Sequence, residues 1–217
     1  MAGITTAMLA TYKRGLLEGV HCHTQTRTFT ATGVSTATWT AVSALTGVIV
    51  GNPLSGTNVA ANTVVARILS SNSIEVSKAS TGAIGTVTVT GDTFKMALFK
   101  VGIAGTYSAA STNYTDMTGN SDETTGTGYT AGGTALTNVD PVASSPSAYT
   151  NFSPNPTWTS ATLSTIGCMI YNSSQNGPVA TPGVSVHDFG GTQTVSSGTF
   201  TAVMPVAAVG TAILQIT

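Results

Sequence analysis

The chain has 217 residues, enough for one domain with a substantial core, or for one domain carrying a small module. Charged residues are 7% of it, against roughly 25% in ordinary globular proteins, and the net charge is −1. With hydrophobic residues at 41%, this excludes charge-driven disorder. It also points away from a nucleic-acid partner, since only Lys13 and Arg14 among the basic residues are adjacent.

Thr, Ser, Gly and Ala fill the places that charge leaves vacant, so β-structure is expected. Near-neutrality favours self-association, which suits a protein whose surface is covered in an assembly. No run of eighteen apolar residues occurs, so no membrane span is expected. The opening MAGITTAMLATYKRG lacks the basic-then-apolar order of a secretory signal, and use without translocation is expected.

The first element expected is a helix over about 6–18. Thr5 or Thr6 can cap it, Met8, Leu9, Tyr12 and Leu16 share one face, and Gly19 can end it. From Thr24 the apolar period becomes two. TRTFTATGV, ATWTAV, TVVARIL, SIEVSK and GTVTVTGDTF read as short strands between Gly, Asn and Pro. No charged residue occurs from Thr28 to Ala66, and residues 23–90 read as a small β-module inserted into a main domain of 1–22 plus 91–217.

TFKMALFK then predicts a half-buried antiparallel strand, with Phe94, Met96 and Leu98 on one face and Lys95 on the other. The stretch 102–134 is a long loop, of the kind that is functional, mobile or pinned by a partner. Further strands are expected near 135–139, 158–163, 167–171, 184–189, 199–204 and 212–216. The fold class that follows is mainly β: an antiparallel sandwich or barrel with one N-terminal helix and an inserted β-module.

Catalytic chemistry is thin. His21-Cys22-His23 is the one metal-like cluster, but a zinc site needs four ligands and no third or fourth is in reach. His187 adjoins Asp188, yet strand neighbours diverge and no G-x-S-x-G elbow exists. Asp122 and Glu123, side by side in a polar loop, read as solvated surface; with Asp116 they could bind calcium loosely, but the spacing of a calcium loop is missing. A hydrolase would have to build its cleft from Asp116, Asp122, Glu123 and Asp140. No catalytic, cofactor-binding or metal-binding residue is assigned, and no enzyme is expected. Cys22 and Cys168 pair only if the fold brings them together, and two separated thiols commonly pack as small hydrophobes.

ETTGTGYTAGGTALTN, residues 123–138, carries one charge, and a phosphate loop would need a lysine and a following helix. Its glycines allow close backbone approach, and Tyr129 is its one bulky group. Tyr129 either packs into its own core or, with Gly132 and Gly133, contacts a neighbouring subunit. Trp158 reads as core. Trp39 reads as core, an intersubunit contact or a glycan-stacking platform.

In order along the chain, TTAMLATYKRGLLEGVH, GDTFKMALF, GTGYTAGGTALT, WTSATL, GCMIYNSS and VHDFGG resemble a family of small virion proteins of tailed bacteriophages, often head decoration or cement proteins. The resemblance covers residues 3–22 and about 91–217. The insert, with NTVVARILSSNSIEVSKASTGAIGTVTVTG, is similar to a short β-repeat of phage tail and surface proteins, and the family form lacks it. The resemblance implies a non-enzymatic decoration protein on the outer surface of the phage particle, on the head rather than the tail. Its implied partners are the major capsid protein and itself, as a homo-oligomer with a trimer expected. The alternative is a fibre or knob component whose inserted module binds host glycans.

Overall fold

The computed structural model describes residues 2–174 and 179–217. The chain divides into two compact units, 1–21 with 92–217, and 22–91. It is mainly β and its sheets are built of antiparallel pairs, apart from one short parallel pair. Each sheet is open, and none closes into a barrel among the described residues.

In the first unit, β1 (Gly3–Ile4) and β2 (Ala7–Met8) precede α1 (Ala10–Leu17). The helix starts four residues later than its sequence pattern predicts, because tertiary pairing claims the first turn. Met8 and Ala7 align with Ser185 and Val186, Leu9 N–H donates to the Val184 carbonyl, and Thr6 Oγ1 accepts from Asp188 N–H. Leu9 and Tyr12 are buried as the periodicity requires, and Gly19, with φ of 69°, ends the helix.

The second unit holds β3 (Arg27–Thr30), β4 (Thr38–Trp39), β5 (Pro53–Gly56), β6 (Thr63–Ser70), β7 (Ser73–Val76) and β8 (Thr86–Val89). They form one sheet in the order β3-β8-β5-β6-β7-β4. Its period-two runs place Phe29, Trp39, Leu54, Val65, Ile74, Val87 and Val89 in a core of its own. β5 has no apolar alternation to announce it. Asn52, which is buried, organises its approach: Nδ2 donates to Thr24 Oγ1 and Cys22 Sγ, and Oδ1 accepts from Ile49 N–H.

The first unit resumes with β9 (Phe94–Phe99), β10 (Thr106–Tyr107), α2 (Tyr114–Gly119), β11 (Thr134–Leu136), β12 (Val142–Ser144), β13 (Ser147–Thr150), β14 (Thr157–Asn172), β15 (Gly183–Thr201) and β16 (Leu214–Ile216). A five-stranded sheet, β11-β9-β14-β15-β2, is flanked by the β12-β13-β16 sheet and the parallel β1-β10 pair. Instead of one buried face, β9 has both faces covered, with Ala97 and Phe99 as inaccessible as Leu98.

The four strands expected between 158 and 204 are two. β14 runs through Gly167, where a Cβ would strike the His187 carbonyl, so glycine here serves close strand approach rather than a turn. β15 runs through a bulge at Phe189–Thr192, where Gly190 and Gly191 take φ of 75° and 156°.

Candidate interaction surface

The long stretch 102–134 is organised by its own acidic residues. Asp122 is fully buried; its carboxylate accepts from Ala104 N–H at 2.9 Å, Gly105 N–H at 2.8 Å and the Tyr107 hydroxyl at 2.7 Å. Lys100 Nζ lies 3.4 Å away. Burial alone raises this carboxyl's pKa, but the two backbone N–H groups, Tyr107 and Lys100 outweigh it and hold it below the usual value.

Glu123 follows on the strand-like bridge to Phe99 and serves other partners. It accepts from the Tyr114 hydroxyl at 2.5 Å, the Tyr129 hydroxyl at 2.6 Å and Gly132 N–H at 2.7 Å. Desolvation, then the bond to Glu123, raises the pKa of both tyrosines. Asp116 caps α2 by accepting from Thr112 N–H at 2.6 Å and Asn113 N–H at 3.3 Å. Asp116, Asp122 and Glu123, which a hydrolase would need in one cleft, are thus each engaged with a separate set of donors. Asp140 sits apart in the connection from β11 to β12. Among the described residues no group of three or more His, Cys, Asp and Glu side chains can hold a metal ion. No described helix is long and apolar enough to cross a membrane.

The residues singled out as intersubunit contacts have internal partners. Tyr129 packs on Trp158, and Leu98 N–H donates to its hydroxyl at 3.0 Å. The Gly132 carbonyl accepts from the Tyr171 hydroxyl at 2.7 Å, and Tyr171 stacks on Tyr114 with centroids 4.4 Å apart. Gly133 takes φ of 70° against β9, where a Cβ would collide with the Met96 carbonyl. Trp39 is wholly inaccessible and its Nε1–H donates to the Thr36 carbonyl, so its ring has no face for a subunit or a sugar. Tyr129, Gly132 and Gly133 thus fasten the glycine-rich stretch to the central sheet, while residues 125–128, 130 and 131 stay exposed.

What the first unit offers outward is different. β14 and β15 run on together beyond the other strands, and past Val186 β15 has β14 as its one paired neighbour among the described residues. The buried face of this ribbon carries Trp158, Ala161 and Leu163. Its exposed face is a field of hydroxyls: Thr157 bonds Thr201 at 3.2 Å, Ser164 bonds Thr194 at 3.0 Å, and Thr162 accepts from Ser197 N–H at 2.9 Å. The alternation in TWTSATLST signals this face in the sequence, although it reads there simply as a strand.

Beside the ribbon, the segment after β15 exposes Val203 by 77% and Val206 by 75%. Asp188 is the sole Asp, Glu, Lys or Arg from Pro141 to Thr217. A cleft of about 320 Å³ opens between ribbon and segment, lined by Met96, Cys168, His187, Phe189, Phe200 and Met204 among others. Burial drives both polar floor residues toward neutrality, raising the Cys168 thiol to about 12 and lowering His187 to about 4. Cys22 and Cys168 are thiols rather than a disulfide. Comparison with protein-family models, with curated proteins and with solved structures finds no match to this chain.

Proposed function

We propose that this chain is a non-enzymatic structural protein of a tailed-bacteriophage virion, acting as a decoration protein on the outside of the head. The observation that carries the reading is the charge-poor, outward surface of the first unit: a hydroxyl-covered two-stranded ribbon beside exposed Val203 and Val206. Such a surface suits close packing against other protein, where buried unpaired charge would be costly. The order of sequence landmarks, which resembles phage virion proteins, supports the same reading. So does the use of Asp116, Asp122 and Glu123 as internal hydrogen-bond acceptors.

The mechanism is linkage. A protein that binds the assembled shell and not its separated subunits stabilises the shell by its binding free energy. The partners are the major capsid protein and further copies of this chain, a trimer being the expected oligomer.

The experiment is to purify the particle, identify its proteins by mass spectrometry, and locate this chain by cryo-electron microscopy. Regular copies on the head lattice are expected, together with a lower disruption temperature for heads lacking the chain. Absence from the particle would overturn the reading, and density confined to the tail would replace the head with a fibre or knob.

A further inference from the structure

The cleft in the first unit is lined by a directly opposed cross-strand pair, Cys168 on β14 and His187 on β15. Residues directly opposite in an antiparallel pair have Cβ atoms about 5 Å apart, which puts the Cys168 thiol and the His187 imidazole side by side. Met96 lies one row along on β9, diagonal to Cys168, and Met204 comes from the segment beyond β15. A thiol, an imidazole and two thioethers thus line one cavity. The virion reading uses none of them.

The imidazole is also held. His187 Nε2 lies 2.9 Å from Ser185 Oγ, and Ser185 is itself buried. A metal-bound histidine usually donates its other ring N–H to a neighbour that sets its orientation, and Ser185 stands in that place, leaving Nδ1 for a ligand. Phe189, Phe200 and Ile213 supply apolar walls to the same cleft.

We propose that this cleft binds one soft monovalent metal ion of the Cu(I) or Ag(I) type, held by Cys168 Sγ, His187 Nδ1 and the thioether sulfurs of Met96 and Met204. Softness follows from the donors, since thiolate and thioether select such ions over calcium, magnesium or manganese. Single charge follows from burial. The cavity supplies one anion, so a monovalent ion gives a neutral site, whereas a divalent ion would leave an uncompensated positive charge beside the buried Cys168 and Met96. On binding, the Cys168 S–H bond breaks, its proton leaves to solvent, and the sulfur electron pair forms the bond to the metal, with no change in oxidation state.

The test uses the full chain carrying Cys22→Ser, which removes the second of the two cysteines. The reduced protein is titrated with Ag(I), and with Cu(I) against a chromogenic chelator. One equivalent is expected to bind, with new ultraviolet sulfur-to-metal absorption and a rise in melting temperature. Cys168→Ser is expected to abolish binding, and Met204→Leu and Ser185→Ala to weaken it about tenfold or more. No binding at one equivalent, or unchanged affinity in Cys168→Ser, would overturn the site. If Cys168→Ser does not fold, Met204→Leu decides, and undiminished affinity there removes Met204 from the donor set and overturns the four-donor site. The outcome is independent of whether the chain is found in a virion.

Discussion

Replacing Asp122 by Ala tests whether the long connection between β9 and β11 is held from within. The substitution strands the N–H groups of Ala104 and Gly105, now donating to a fully buried carboxylate, and leaves the Tyr107 hydroxyl the longer bond to the Asp116 carbonyl at 3.3 Å. A buried donor left unsatisfied costs about 1–3 kcal/mol, and breaking a buried charged network costs about 3–5 kcal/mol, so a loss of about 4 kcal/mol is expected. In a unit of this size, that is a fall in melting temperature of about 12 °C. Urea unfolding followed by circular dichroism measures it, and a loss below about 1 kcal/mol would refute the internal-anchor argument.

The pH dependence supplies a second readout. The folded carboxyl titrates below its ordinary value of 3.8, so the unfolded chain takes the proton more readily. The stabilisation is therefore complete above that ordinary value and is lost as pH falls through the lower, folded one. Asp122→Ala should flatten the decline of stability as pH falls below that ordinary value.

Gly133→Ala forces a left-handed residue and a collision with the Met96 carbonyl, and should destabilise the first unit by about 2 kcal/mol or more in the same urea experiment. Trp39→Ala empties the centre of the second unit's core and should cost about 3–5 kcal/mol, read by calorimetry; a loss near zero would show that the ring is not core. Val203→Ser with Val206→Ser should change stability by about 0.5 kcal/mol or less, because both side chains are exposed. Under the decoration reading, the same pair should lower occupancy on purified heads, and full occupancy would remove these valines from the contact.

What was legible in the sequence followed from periodicity. The mainly β class, the early helix and most module strands could be read because burial on one face imposes a period that a single chain displays. Where pairing partners decide, the sequence is silent. Nothing in ITTAML says that Ala7 and Met8 will pair with Val186 and Ser185, and that pairing removes the helix's first turn. Gly167 and the Gly190–Gly191 pair read as strand ends, yet they are a close approach and a bulge within two long strands. Asp122 and Glu123 read as solvated surface because adjacent charges in a polar stretch usually are. The burial of Asp122 and the bonding of Glu123 depend on Ala104, Tyr114 and Tyr129, whose arrival no local pattern announces.

The scarcity of charge gives these few carboxylates their weight. In a surface-charged protein the turns around 102–134 could be solvated and loosely held, and acidic residues there would be interchangeable. Here the chain has eight acidic residues, and Asp116, Asp122 and Glu123 together receive donors from Thr112, Asn113, Ala104, Gly105, Tyr107, Tyr114, Tyr129 and Gly132. Charge is thus spent on fixing backbone, and the ribbon is left with Asp188 alone and the Val203–Val206 segment with none. The buried Asp122 carboxylate is costly alone and stabilising only with its donors in place, so pairing orders the connection alongside the core residues Tyr107 and Met117. A surface freed of charge in this way meets a protein neighbour without the desolvation cost that buried, unmatched ions would impose.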